Sequence, residues 1–289
     1  MADRMANAGS ASGRSWLVVA LAGLGSAVLG AGLVVGFSGS RDDPSPDSSP
    51  GPTAVPETTE PEPVDPALLP NLRSLTPRNI SIEGTGDGRS LRFDGTLANV
   101  GVGPVEVVPD ENRPCPRGQR HASQSIYQDG DGDGRYSAAV DRETMLRPAG
   151  CMLFHPQHTH WHLDASASYT LIAAVDDTVV VEQDKVSFCL RDNQRVPGVQ
   201  PPGGSKTYGE CDRNRVQGIS VGWSDIYDAS LPGQELELPR AMPDGLYCLV
   251  VAADPLDLFT ETVEDDNASA QEIRITGARV RTAAPETCT

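Results

Sequence analysis

Four of the five histidines in this 289-residue chain fall within eight positions, His155, His158, His160 and His162 in the run HPQHTHWH. Alternate side chains of a β-strand share a face, so a strand from Pro156 to Tyr169 would aim His158, His160 and His162 one way and Thr159, Trp161 and Leu163 the other. Neutral imidazole is a ligand for copper, zinc, nickel and iron, and three of them leave a coordination position open for water, oxygen or substrate. The spacing points to a reactive metal centre rather than a structural one. The bland alternative is a polar strand face in contact with solvent. His160, His162 and Asp164 also begin a hydrolase pattern, HxHxD, but Ala165 stands where that motif needs another histidine, and the reading is set aside.

A second constellation is Asp129-Gly-Asp131-Gly-Asp133-Gly134, where alternate carboxylates and a glycine at the sixth place match the start of a calcium loop. Position twelve is Val140, with Asp141 one residue late, so a looser calcium loop and a solvated acidic turn both fit.

These groups need a scaffold. From Leu69 onward, short β-type runs alternate with turn residues and no long helical period occurs, which predicts an all-β sandwich with long loops. The expected strands are Ile80 to Glu83, Ser90 to Asn99, Gly103 to Val108, Ala165 to Ala174, Thr178 to Gln183, Lys185 to Arg191, Gln234 to Leu238, Leu246 to Ala253 and Gln271 to Thr276. Alternation is clearest where Leu91, Phe93 and Gly95 oppose Arg92, Asp94 and Thr96. Pro243-Asp244-Gly245 is a turn signal before an almost continuous apolar run. Asn193 to Arg215, rich in Pro, Gly and Arg, reads as a long loop.

The N-terminal quarter has a different composition. Trp16 to Phe37 carries no charge over 22 residues, enough to cross about 30 Å of hydrocarbon as a helix. Arg4 and Arg14 precede it, which places the N-terminus in the cytoplasm and the rest outside. The expected organisation is a cytoplasmic N-terminus (1–14), a transmembrane anchor (15–38), a disordered linker rich in Pro, Ser and Glu (39–68) and a folded domain (69–289). A cleaved signal peptide is the alternative, and the domain is exported in either case. In that oxidising compartment six cysteines without a CxxC predict three disulfides, of which the most local pairing is Cys115–Cys151, Cys189–Cys211 and Cys248–Cys288. A net charge of −17 argues against a nucleic-acid partner and draws cations toward the surface. The chain has only two lysines, Lys185 and Lys206, against 21 arginines.

The histidine run, the segment DKVSFCL ending at Leu190 and the segment QGISVGWSDIYDASLPGQ beginning at Gln217 stand in an order and spacing that resemble the catalytic domain of the lysyl oxidase family. The likeness runs from about Leu69 to Cys288, through DGLYCLVVAADP and ETVEDDN. It implies copper on His158, His160 and His162, with His155 outside the ligand set, and a lysine tyrosylquinone made from Lys185 and Tyr227. The implied reaction is oxidative deamination of primary amines, small or peptidyl lysine, by oxygen to aldehydes, ammonia and hydrogen peroxide. The resemblance also implies the Cys189–Cys211 disulfide and a calcium ion on Asn71, Glu261, Asp266 and Asn267 with the Leu72 carbonyl, although Val263 replaces an expected aspartate and an acidic solvated turn fits equally. A catalytic base is required, and His155 and Asp164 are both near in sequence. Two readings from other classes compete, a cell-surface metal-binding or adhesion module without quinone chemistry and a zinc hydrolase on the same histidines. Neither needs Lys185 or Tyr227.

Overall fold

A computed structural model describes residues 67–86, 88–110, 113–199, 205–211, 216–284 and 288. The expected anchor (15–38), most of the expected linker (39–66) and the Lys185 side chain lie outside the described residues. Among those residues there are fifteen strands and no helix. They are β1 (Ala67–Leu68), β2 (Leu72–Glu83), β3 (Ser90–Asn99), β4 (Val105–Asp110), β5 (Gln119–Gln128), β6 (Thr144–His155), β7 (His160–Ala173) and β8 (Val179–Phe188). After these come β9 (Gln194–Arg195), β10 (Gln217–Ile219), β11 (Trp223–Tyr227), β12 (Glu235–Glu237), β13 (Gly245–Ala253), β14 (Ala268–Thr276) and β15 (Arg279–Thr282).

The strands form two antiparallel sheets. The larger runs β10-β4-β5-β6-β7-β13-β14-β15, with β1 added to β5 and β8 to β7, and the smaller runs β12-β3-β11-β9, with β2 added to β3. On β3 the predicted alternation holds as far as Thr96, with Leu91, Phe93 and Gly95 buried between less buried neighbours, and Leu97, Ala98 and Asn99 are all buried. Leu91, Phe93 and Leu97 meet Tyr169 and Leu171 of β7 and Leu249 and Val251 of β13 in one core. Phe93 meets Tyr169 edge to face at 4.9 Å between ring centres, a favoured aromatic geometry that locks one sheet over the other.

Two departures from the expected strands matter for the site. The segments Thr178 to Gln183 and Lys185 to Arg191 are one strand, β8, ending at Phe188. A bulge in β7 explains how β8 fits: Leu163 pairs with Phe188 and Ala167 with Val186, so four steps on β7 span two on β8. Ala165 sits at φ 58° inside this bulge, and the Ser166 hydroxyl both donates to the Leu163 carbonyl and accepts from the Phe188 N–H. Bulges of this kind bend a strand and re-aim its side chains.

All three disulfides join the most local pairs, Cys115–Cys151, Cys189–Cys211 and Cys248–Cys288. Within the expected loop from Asn193 to Arg215, β9 is a short addition pairing with β11. The loop is gathered by Asp192, 1% exposed, whose carboxylate accepts from Thr207 N–H and Tyr208 N–H at 3.0 Å and from Ser220 N–H and hydroxyl at 2.7 Å. Removing a buried acceptor leaves its donors unsatisfied, with only the Thr207 N–H keeping a longer bond, 3.2 Å to Ser220 Oγ. Asp192→Ala is therefore expected to cost roughly 3 kcal/mol, read as a lower urea midpoint at unchanged m-value with the disulfides intact. A midpoint within error of the parent would show that the carboxylate does not organise this loop.

Candidate active site

The histidine run occupies a hairpin, not one continuous strand. β6 ends at His155, Pro156–Thr159 form the turn, and β7 starts at His160. Proline has no N–H for the ladder, which ends the strand at the residue before it. Thr159 turns the chain at φ 60° and donates its N–H to the His155 carbonyl at 2.9 Å. His158 therefore reaches the cluster from the turn, a correction to the strand expected from Pro156. His155 lies opposite His160 across the ladder, and His162 follows on the same face two residues on.

The three rings converge. His162 Nε2 is 3.1 Å from His160 Nε2 and 3.3 Å from His158 Nδ1. His162 Nδ1 is 2.9 Å from the Ser187 carbonyl oxygen. A carbonyl only accepts, so Nδ1 carries the hydrogen and the neutral ring presents a bare lone pair at Nε2, the form a metal needs. Burial, reinforced by His160, brings the His162 pKa down to about 4, so the ring is neutral at physiological pH. His160 and His155 are also lowered, mainly by burial. His155 stacks on His158 and His162 with ring centres 3.9 and 4.9 Å apart. A nitrogen of each of His155, His158 and His162 falls within 4.8 Å of the others, so His155 stands closer to the ligand set than the resemblance implied.

The same cavity, about 360 Å3, is lined on its far side by Phe188, Asp225 and Tyr227. Tyr227 and Asp225 share a face of β11, which pairs with the centre of β3. The Tyr227 hydroxyl donates to Asp225 Oδ2 and reaches the Cys189 carbonyl at 3.4 Å. Its ring stacks on Phe188 at 3.4 Å between centres. Burial pushes Asp225 up to about 7, against the opposing pull of the Tyr227 hydroxyl and the Arg191 N–H. Burial and the adjacent Asp225 raise Tyr227 well above the ordinary phenol range, so it is a neutral donor. Lys185 stands in β8, in a stretch whose Gln183, Val186, Ser187 and Phe188 all line this cavity.

Of the two bases considered from sequence, His155 lines the cavity within the histidine stack. Asp164 instead accepts from the Ser187 hydroxyl at 3.1 Å and is not among the cavity-lining residues. Asp225 was missed. Its signal was the period of two in WSDIY, which puts it on the face of Tyr227.

The two candidate calcium clusters differ. Around Asn71, Asp266 and Asn267 the side-chain oxygens Asn71 Oδ1, Asp266 Oδ1 and Asn267 Oδ1 are buried without a partner. Glu261, raised to about 7 by burial, accepts from Asn267 Nδ2 at 2.9 Å and from the Leu72 N–H. Hard oxygens buried without donors are what a calcium ion would satisfy. Val263 is exposed, at 37%. In the glycine-aspartate loop, oxygens of Asp129, Asp131 and Asp141 lie within 4.8 Å of one another. Asp133 Oδ1 accepts from the Arg135 N–H at 2.8 Å, and Asp141 joins Asp129 and Asp131 in the cluster.

Comparison with known proteins agrees with this geometry. The lysyl oxidase family model matches residues 142–285, which contain the histidine hairpin, Lys185, Asp225 and Tyr227. The chain belongs to the lysyl oxidase family. Strands β1 to β5 precede the match yet pair into the same two sheets, so they are part of the lysyl oxidase fold here. Relatives include lysyl oxidase homolog 3A of Danio rerio, 31% identical over 128 residues, and lysyl oxidase homolog 3 of Homo sapiens, 31% identical over 129. Each alignment covers 44% of this chain and 16% of the relative. Lysyl oxidase homolog 2 of Gallus gallus is 30% identical over the same shares.

The cluster is expected to bind one equivalent of copper(II) in calorimetry. His162→Ala should abolish that binding, whereas Gln157→Ala, on the cavity wall, should keep it. Full metal retention by His162→Ala would remove the histidine hairpin as the site.

Proposed function

We propose that this chain is an exported, copper- and quinone-dependent amine oxidase that converts primary amines, small or peptidyl lysine, to aldehydes with release of ammonia and hydrogen peroxide. One observation carries it: three converging imidazoles and a buried tyrosine on a carboxylate share one cavity, with Lys185 in a strand of its wall. A metal-binding or adhesion module needs only the first. The donor set fits copper, since neutral nitrogen ligands suit it and the tautomer of His162 is already set. Bound copper supplies oxygen activation, and a quinone built from Lys185 and Tyr227 supplies the electrophilic carbonyl and two-electron sink that amine oxidation requires.

The remaining chemistry falls to the protein. Asp225 Oδ2 holds the Tyr227 hydroxyl proton and is placed to accept it when the ring is modified. It is also the carboxylate on the cavity wall beside Tyr227, and so takes the role of the base that removes the substrate α-proton. A base must be unprotonated to act, so a carboxyl held near 7 gives activity that rises with pH through about 7. Val186, Phe188 and Leu231 line the cavity with apolar surface, which limits water around the reacting amine. Calcium on Asn71, Glu261, Asp266 and Asn267 would tie the start of β2 to the turn before β14, and the looser loop at Asp129, Asp131 and Asp141 is a second, weaker candidate. The hydrophobic segment 15–38 would hold the domain outside the cell membrane as a single-pass anchor, or direct its secretion if cleaved.

Protein expressed with copper and oxygen should yield, on digestion, one cross-linked peptide containing Lys185 and Tyr227 by mass spectrometry. Lys185→Arg should keep copper and lose both the cross-link and peroxide release. Fully metallated protein with neither would sink the oxidase reading in favour of a binding module. Asp225→Asn should lower kcat by about 10²–10⁴ and remove the rise near pH 7. Calcium should raise the melting temperature of the parent by several degrees and that of Glu261→Gln by less; equal shifts would exclude Glu261 as a ligand.

A further inference from the structure

The charge inventory of the cavity is lopsided. Among the described residues lining it, Asp225 is the one carboxylate, and both the Tyr227 hydroxyl and the Arg191 N–H already occupy its Oδ2. Among the same described lining residues, Arg191 carries the one fixed positive charge. Arg191 follows β8 directly and is exposed. Among the described residues no carboxylate lies within ion-pair distance of its guanidinium. It lines the cavity beside Asp225, to whose Oδ2 its backbone N–H donates at 3.0 Å. A free guanidinium at a cavity wall is a fork for a carboxylate.

This sets the cavity against the surface. The net charge of −17 draws cations toward the protein from a distance. Inside, a substrate with a second positive charge meets Arg191 with no unengaged acid among the described residues to offset it. We propose that Arg191 determines specificity, and that the substrate is a primary amine whose far end carries a carboxylate rather than a diamine or polyamine. The inference rests on the amine oxidase reading and narrows it to a substrate class.

The test uses three amines with one six-carbon chain and different far ends: 6-aminohexanoate, hexylamine and 1,6-diaminohexane. Peroxide release is measured on full-length, copper-loaded protein whose Lys185–Tyr227 cross-link has been verified by mass. At low salt the parent should show kcat/KM for 6-aminohexanoate about tenfold above that for 1,6-diaminohexane, carried mainly in KM and shrinking as salt is added. Arg191→Gln should bring the ratio to one or below, Arg191→Glu should invert it, and Arg191→Lys should keep it above one. Using a ratio cancels any common effect of these variants on Asp225 or on cofactor content. A parent ratio of one or less, or an unchanged ratio in Arg191→Gln, overturns the assignment of Arg191 alone. No turnover of all three by cross-linked, copper-loaded protein overturns the oxidase reading, and this inference with it.

Discussion

The site depends on how β7 is paired to β8. The Ser187 carbonyl takes the Nδ1 hydrogen of His162 at 2.9 Å, so a backbone acceptor on one strand sets the tautomer of a clustered imidazole on the other. The bulge at Ala165 makes this possible by letting Leu163 face Phe188 while Ala167 faces Val186. Phe188 in turn carries the ring on which Tyr227 stacks. A slip of one residue along β8 would move the carbonyl from His162 and turn Phe188 to the other face. The histidine hairpin and the ring on which Tyr227 stacks are thus held in register by one ladder.

Buried carboxylates do the rest of the positioning, each held by converging donors. Asp192 collects four donors from two loops, and Asp254 accepts from the Leu258 and Phe259 N–H groups at 2.8 Å. Burying an acid costs free energy unless hydrogen bonds compensate it. Asp225 and Glu261 each accept from two donors as well, and burial raises both to about 7. These two acids stand beside a tyrosine and beside three unpaired oxygens, where a proton or a cation would complete the arrangement.

Legibility from the sequence followed apolar contrast. Ser90–Asn99 was readable to the residue because, from Ser90 to Leu97, its buried side chains are apolar or glycine and the alternate ones polar. β5 was not, since QRHASQSIYQ buries Ser123, Gln124 and Ser125. Those groups are satisfied by tertiary partners, as where Gln124 exchanges two hydrogen bonds with Thr260 at 3.0 and 2.8 Å. β6 and β11 were missed for related reasons, the first because its outer half is exposed and the second because WSDIY carries a buried aspartate. The histidines were found for their chemistry, but the alternation invoked for them applied only to His160 and His162, since the turn after Pro156 delivers His158.

By itself the sequence determined an all-β fold from Leu69 onward, enough cysteines for three disulfides and the residue types able to form a metal centre, because hydrophobic period, cysteine count and histidine scarcity are local properties. It also carried membership of the lysyl oxidase family, through motifs whose order survives without coordinates. Only the tertiary structure decided which nitrogen of His162 is bare, that Asp225 rather than Asp164 faces the cavity, that Asp141 lies with Asp129 and Asp131, and that Arg191 lines the site. Each of these depends on a hydrogen bond or a charge between residues far apart in the chain or on different strands. Such contacts exist only once the two sheets have closed on each other.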